Sequence, residues 1–135
     1  MKYGLYLLLA GLLLTGCATR TTIQSRKQER ATAYAALSPE FQKLVDDGQI
    51  RRGLSEDAVY IAWGKPAQIL HQEDARGAVT TWLYEGGWME ETRYWTGRRS
   101  ARLEHDYQPR TYVRAEIVFV KGAVESWRSL PQPVY

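Results

Sequence analysis

Two periodicities succeed one another along this chain: apolar residues recur at helical spacing between Ser38 and Gly64, and they alternate from Ala67 onward. Ser38-Pro39-Glu40 has the form of a helix start, with a hydroxyl to cap free amides, a proline whose missing donor costs nothing there and an acid that favours the helix dipole. Phe41, Leu44 and Val45 then share a face, and Gly48 ends the helix. Ile50 and Leu54 flank the connector Arg51-Arg52-Gly53. A second helix is predicted from the cap Ser55, with Glu56 and Asp57 in its first turn and Leu54 and Val59 spaced as a hydrophobic staple. Val59, Ala62 and Trp63 carry its apolar face up to Gly64, and Pro66 prevents resumption.

The alternating half predicts strands over Ala67 to His71, Val79 to Tyr84, Tyr112 to Val120 and Ala123 to Trp127, the last pair closed as a hairpin by Lys121-Gly122. Consecutive hairpins favour an antiparallel sheet, and a sheet with one apolar face needs a cover. The expected fold is α+β: two short helices packed on one face of a three- to four-stranded antiparallel sheet, residues 38–130. Residues 86–110 read as a long aromatic and basic insertion between strands, and 131–135 as a tail.

The N-terminus carries a different signal. The apolar run Tyr3 to Leu14, next to Lys2, is shorter than the roughly 20 residues a membrane-spanning helix needs, and it fits the apolar core of a secretory signal. Leu14-Thr15-Gly16-Cys17 follows, and it resembles the lipobox of bacterial lipoproteins. The resemblance implies cleavage after residue 16, acylation of Cys17 and a lipid-anchored protein of the cell envelope. Ala18, rather than an aspartate, implies delivery to the outer membrane, facing the periplasm. Residues 17–37 then read as lipidated cysteine and polar tether, rich in Arg20, Arg26, Lys27 and Arg30, whose second half, Lys27 to Ala36, is expected to be partly helical with its basic residues able to meet anionic headgroups.

Removal of residues 1–16 from the 135 leaves enough chain for one domain. The formal charge of +3 is too small to point to nucleic acid, and Cys17, the single cysteine, leaves no disulfide in the mature chain.

The segments Gln49 to Val59, Trp63-Gly64-Lys65-Pro66, Trp82-Leu83-Tyr84 and Ile117 to Gly122 resemble, in order and spacing, the BamE-like (SmpA/OmlA) family of outer-membrane lipoproteins. Gly53, Ser55, Val59, Gly64, Pro66, Trp82 and Tyr84 stand at the motif positions. Trp63 and the length of residues 86–110 depart from the pattern. The resemblance implies a non-enzymatic protein-binding or scaffold module in outer-membrane protein assembly or envelope integrity.

Candidate chemistry is sparse. His71 and His105 are far apart in sequence and not at metal-ligand spacing, and the chain has no nucleophile elbow or phosphate-binding glycine loop. No catalytic residue, cofactor or metal is expected. Trp88, Arg93, Tyr94, Trp95, Arg98 and Arg99 are instead the candidate partner-binding residues, because Trp, Tyr and Arg dominate binding hot spots. An envelope protein is the expected partner. The alternative is an inhibitor, or a ligand-binding lipoprotein that contacts cell-wall peptidoglycan through its aromatic residues.

Overall fold

The computed structural model describes residues 21–133; Cys17 and the signal segment lie outside them. Helices α1 (Ile23–Glu29), α2 (Ala31–Ala35), α3 (Pro39–Asp46) and α4 (Glu56–Trp63) precede strands β1 (Gln68–Asp74), β2 (Gly77–Thr96), β3 (Arg102–Val120) and β4 (Ala123–Ser129). The strands form one antiparallel meander in the order β1-β2-β3-β4. The chain is therefore α+β with a four-stranded antiparallel sheet.

The punctuation read from the sequence sets the ends of α3 and α4. Ser38 Oγ accepts the Phe41 amide at 3.3 Å, and Ser55 Oγ accepts the Ala58 amide at 3.2 Å. Gly64 ends α4 at φ +85°, where its N–H donates to the Tyr60 carbonyl over 2.7 Å. The connector between these helices lies along β4: the Gly53 amide donates to the Val124 carbonyl, and the Val124 amide returns to the Leu54 carbonyl, both at 2.8 Å. Backbone groups at the end of an edge strand are thus paired rather than left open.

Val45, Leu54, Val59 and Ile61 join Trp82, Tyr84, Ile117, Phe119 and Val124 in a single hydrophobic cluster. The Trp82 and Phe119 rings lie 4.9 Å apart, and Trp82 Nε1 is buried without a hydrogen-bond partner, so this indole contributes area rather than polarity. Trp63 donates from Nε1 to the Gly48 carbonyl at 2.8 Å and meets the Tyr84 ring edge-on at 5.2 Å. It ties the end of α3 to that of α4.

Two expectations need correction. The segment expected to be a tether is folded from Thr22 onward. Thr22 and Ser25 cap α1 reciprocally, and the chain continues through α2. Arg26 is buried; its Nε donates to the Ile61 carbonyl at 2.8 Å, one terminal nitrogen to Ala62 at 3.1 Å, and the other to Thr21 at 2.6 Å. The guanidinium satisfies carbonyls that the last turn of α4 leaves unpaired. Lys27 and Tyr34 both bond Asp46, at 2.7 and 2.9 Å, and Arg30 pairs with Asp57 at 3.1 Å. Arg26, Lys27 and Arg30 therefore have protein partners, and Arg20 lies outside the described residues. Hydropathy could not announce this docking, because much of it runs through polar groups.

The second correction concerns residues 86–110. They are not an insertion between strands but continue β2 and β3, whose pairing runs from Val79↔Val120 out to Thr96↔Arg102. The pairing of β1 stops at Gln68↔Leu83 and that of β4 at Ser129↔Ala115, so from Glu85 outward the hairpin is a two-stranded ribbon without neighbours in the sheet. At about 3.3 Å per residue it projects roughly 35 Å.

Candidate functional site

The ribbon begins at a bulge. Tyr84 pairs with Ala115 while Glu85 pairs with Val113, so Arg114 is an extra residue on β3. Its carbonyl accepts the Leu130 amide at 2.8 Å, and its guanidinium lies 5.8 Å from the Trp63 ring centroid. Beyond the bulge, Tyr112 lies over Gly86, where an added Cβ would stand 2.9 Å from the ring. An aromatic side chain thus covers a strand glycine at the point where the sheet narrows to two strands.

Directly opposed residues share a face, which sorts the ribbon into two surfaces. One carries Trp88 opposite Arg110, Glu90 opposite Gln108, and Tyr94 opposite Glu104. The other carries Met89 opposite Pro109, Glu91 opposite Tyr107, Arg93 opposite His105, and Trp95 opposite Leu103. Trp95 is 70% exposed, Met89 57% and Tyr107 56%, and Leu103 is exposed as well, all on this second face. Charges sit between them as local pairs: Glu91 accepts from His105 and approaches Arg93 at 3.4 Å. Across the ribbon, Arg110 pairs with Glu90 at 2.6 Å. Such exposed pairs fix register more than they stabilise.

The candidate residues are therefore not one patch. Trp88 and Tyr94 stand on one face, Arg93 and Trp95 on the other, and Arg98 and Arg99 in the turn at the tip, where their side chains form no ion pair among the described residues. Met89, Leu103 and Tyr107 belong beside Trp95, and of these Met89 and Leu103 do not stand out by residue type. Apolar residues stand side by side at Trp88-Met89 and Tyr94-Trp95, so no alternation marks this face, and only the register of β2 with β3 groups them.

The motif residues serve the fold. Val59 is fully buried in the core, Trp82 and Tyr84 join it there, and Gly53 adopts φ +91°. Tyr84 Oη donates to the Gly64 carbonyl at 2.8 Å, and burial pushes this phenol above its ordinary pKa. Pro66 lies just before β1.

His71 lies on β1 at 3.4 Å from the Thr80 hydroxyl, far in sequence register from His105 on the ribbon. Among the described residues no group of three or more His, Cys, Asp or Glu is arranged to hold a metal ion, and no helix is long and apolar enough to cross a membrane. A second aromatic feature is a hollow of about 410 Å³ lined by Gly48, Gln49, Ile50, Trp63, Trp127 and Ser129. Compared with protein-family models, curated proteins and solved structures, the chain finds no significant match in any of the three.

Proposed function

We propose that this protein is a non-enzymatic, lipid-anchored envelope module of the BamE-like kind, and that its ribbon captures a protein partner in outer-membrane assembly or envelope maintenance. The anchor reading rests on Leu14-Thr15-Gly16-Cys17 behind its apolar run. The family reading rests on the motif order, and the finer arrangement it implies has both predicted helices on one face of the sheet. Membership of Val45, Val59, Ile117 and Phe119 in one cluster supports that arrangement.

The observation that carries the binding role is the exposure of Met89, Trp95 and Tyr107 together on one face of a ribbon that lies outside the hydrophobic core. Large aromatic side chains held on paired strands lose little entropy on binding, which is what a hot spot requires. Photo-crosslinking from positions 89, 95 and 107 in intact cells tests this. One discrete adduct shared by these positions supports the proposal, and its absence at all of them contradicts it.

The hollow beside Trp63 and Trp127 favours a second reading, capture of a cell-wall glycan by stacking on exposed indole. Retention on peptidoglycan that is lost in Trp127→Ala would select it over the ribbon.

A further inference from the structure

The two edges of the sheet are treated differently. β4 is guarded: Gly53 and Leu54 bond to Val124 from outside, and Ser55 bridges to Ala123. β1 is the other edge, and all its residues are exposed. The usual guards of an edge, a bulge, a proline or a lysine, are missing from β1. Its register with β2 runs unbroken from Gln68↔Leu83 to Asp74↔Gly77, and it presents Ile69 at 46% and Leu70 at 50% exposure.

The direction of the ladder bonds identifies the free backbone groups. The Lys121 amide donates to the Ala78 carbonyl, so before the bulge the even-numbered residues of β2 bond to β3 and the odd ones to β1. The Leu83 carbonyl accordingly accepts the Ala67 amide at 2.8 Å. Val79, Thr81 and Leu83 thus engage Gln72, Leu70 and Gln68. The amides and carbonyls of Ile69, His71 and Glu73 point away from the sheet and form a template for one more strand.

A second β1 fits this template by charge. An antiparallel pair centred on Ile69 sets that residue against its own copy, Leu70 against Gln68, and Lys65 against Glu73. Neither Lys65 nor Glu73 forms an ion pair within the chain among the described residues. Symmetry makes this pairing of opposite charges occur twice. Sliding the centre to Leu70 or His71 would leave Lys65 opposite Ala75 or Gly77, so the charges select one register. Ile69 shares the helix side of the sheet with Trp82, beside a hollow of about 440 Å³ lined also by Tyr60, Lys65 and Pro66. Ile69 of the second copy comes down over this hollow.

We propose that two copies of this chain join edge to edge through β1, forming one continuous antiparallel sheet. The ribbon takes no part in the contact. Because the paired β1 strands run antiparallel, the two ribbons leave the joint sheet in opposite directions, and each pair of chains presents two capture surfaces. A contact built on one strand pair lies at the small end of specific interfaces, so the pair forms and separates.

Cysteine crosslinking of the full chain, in the membranes of the cells that produce it, tests this. In the proposed register the Ile69 Cα atoms lie about 5.5 Å apart, within disulfide reach. Under a mild oxidant Ile69→Cys is expected to give a covalent dimer above the wild-type background, which Cys17 sets, while Thr92→Cys on the ribbon stays at background. Adding Lys65→Glu to Ile69→Cys should slow dimer formation about tenfold, since two attractions become repulsions. Adding Glu73→Lys as well should restore the rate. Lys65, Ile69 and Glu73 are exposed, so melting temperatures should stay at the wild-type value. A folded Ile69→Cys chain that remains monomeric, a crosslink indifferent to the charge reversal, or an adduct from position 69 to a different protein overturns the proposal.

Discussion

Arg26 Nε donates to the carbonyl of Ile61 across 2.8 Å, joining the first described helix to the last turn of α4. The same guanidinium reaches Ala62 and Thr21, so one buried side chain closes a helix end and fixes the place where the chain enters the domain. Arg26→Ala should cost about 2 kcal/mol or more, because it leaves buried carbonyls without a charged donor. Arg26→Lys should recover little, since an ammonium cannot span the same fork. Urea titration of both variants checks this; two midpoints equal to wild type would return residues 22–35 to the status of a tether.

The Gly64 cap yields a sharper pair. Ser55→Ala should cost about 1 kcal/mol through its lost bond to the Ala58 amide. Gly64→Val should cost more, because it places a β-branched residue at φ +85° with its Cβ close to Arg26. Thermal melts rank the two, and a Gly64→Val melt above that of Ser55→Ala contradicts the cap.

Asp46 gives the acid limb. The Lys27 ammonium beside it and the Tyr34 hydroxyl hold its carboxyl below the ordinary value of 3.8. A lowered folded-state pKa contributes stability that is present above 3.8 and is lost as pH falls through the lower value. Both partners are partly exposed, so solvent screening keeps the effect modest. Asp46→Asn should flatten the decline in urea midpoint between pH 4 and pH 2, to within about 1 kcal/mol, and leave the midpoint at pH 7 lowered by a similar amount. An unchanged acid slope would show that the pair does not hold α1 to α3.

The helices and strands around the core were legible because each carries its own punctuation: Ser38, Ser55 and Gly64 for the helices, Lys121-Gly122 for the last hairpin. The docking of residues 22–35 was not, because Arg26 is buried by hydrogen bonds to carbonyls rather than by apolar periodicity, although the helix formers of Lys27 to Ala36 announced part of the helix. The ribbon was legible in composition and not in shape. Trp88 and Trp95 stood out by type, yet only the register with β3 reveals that they face opposite ways and that Met89, Leu103 and Tyr107 complete the surface around Trp95.

The claim that most of the account depends on is that this surface binds rather than supports the fold. Its most direct test is the variant Met89→Ser/Trp95→Ser/Tyr107→Ser, with thermal stability and partner capture measured on the same preparation. Exposed side chains outside the core should move stability by no more than about 0.5 kcal/mol each, while hot-spot truncation of 2 kcal/mol or more weakens capture at least about thirtyfold. A stable variant that no longer captures its partner is the predicted result. A variant that unfolds, or that captures as well as wild type, would contradict it.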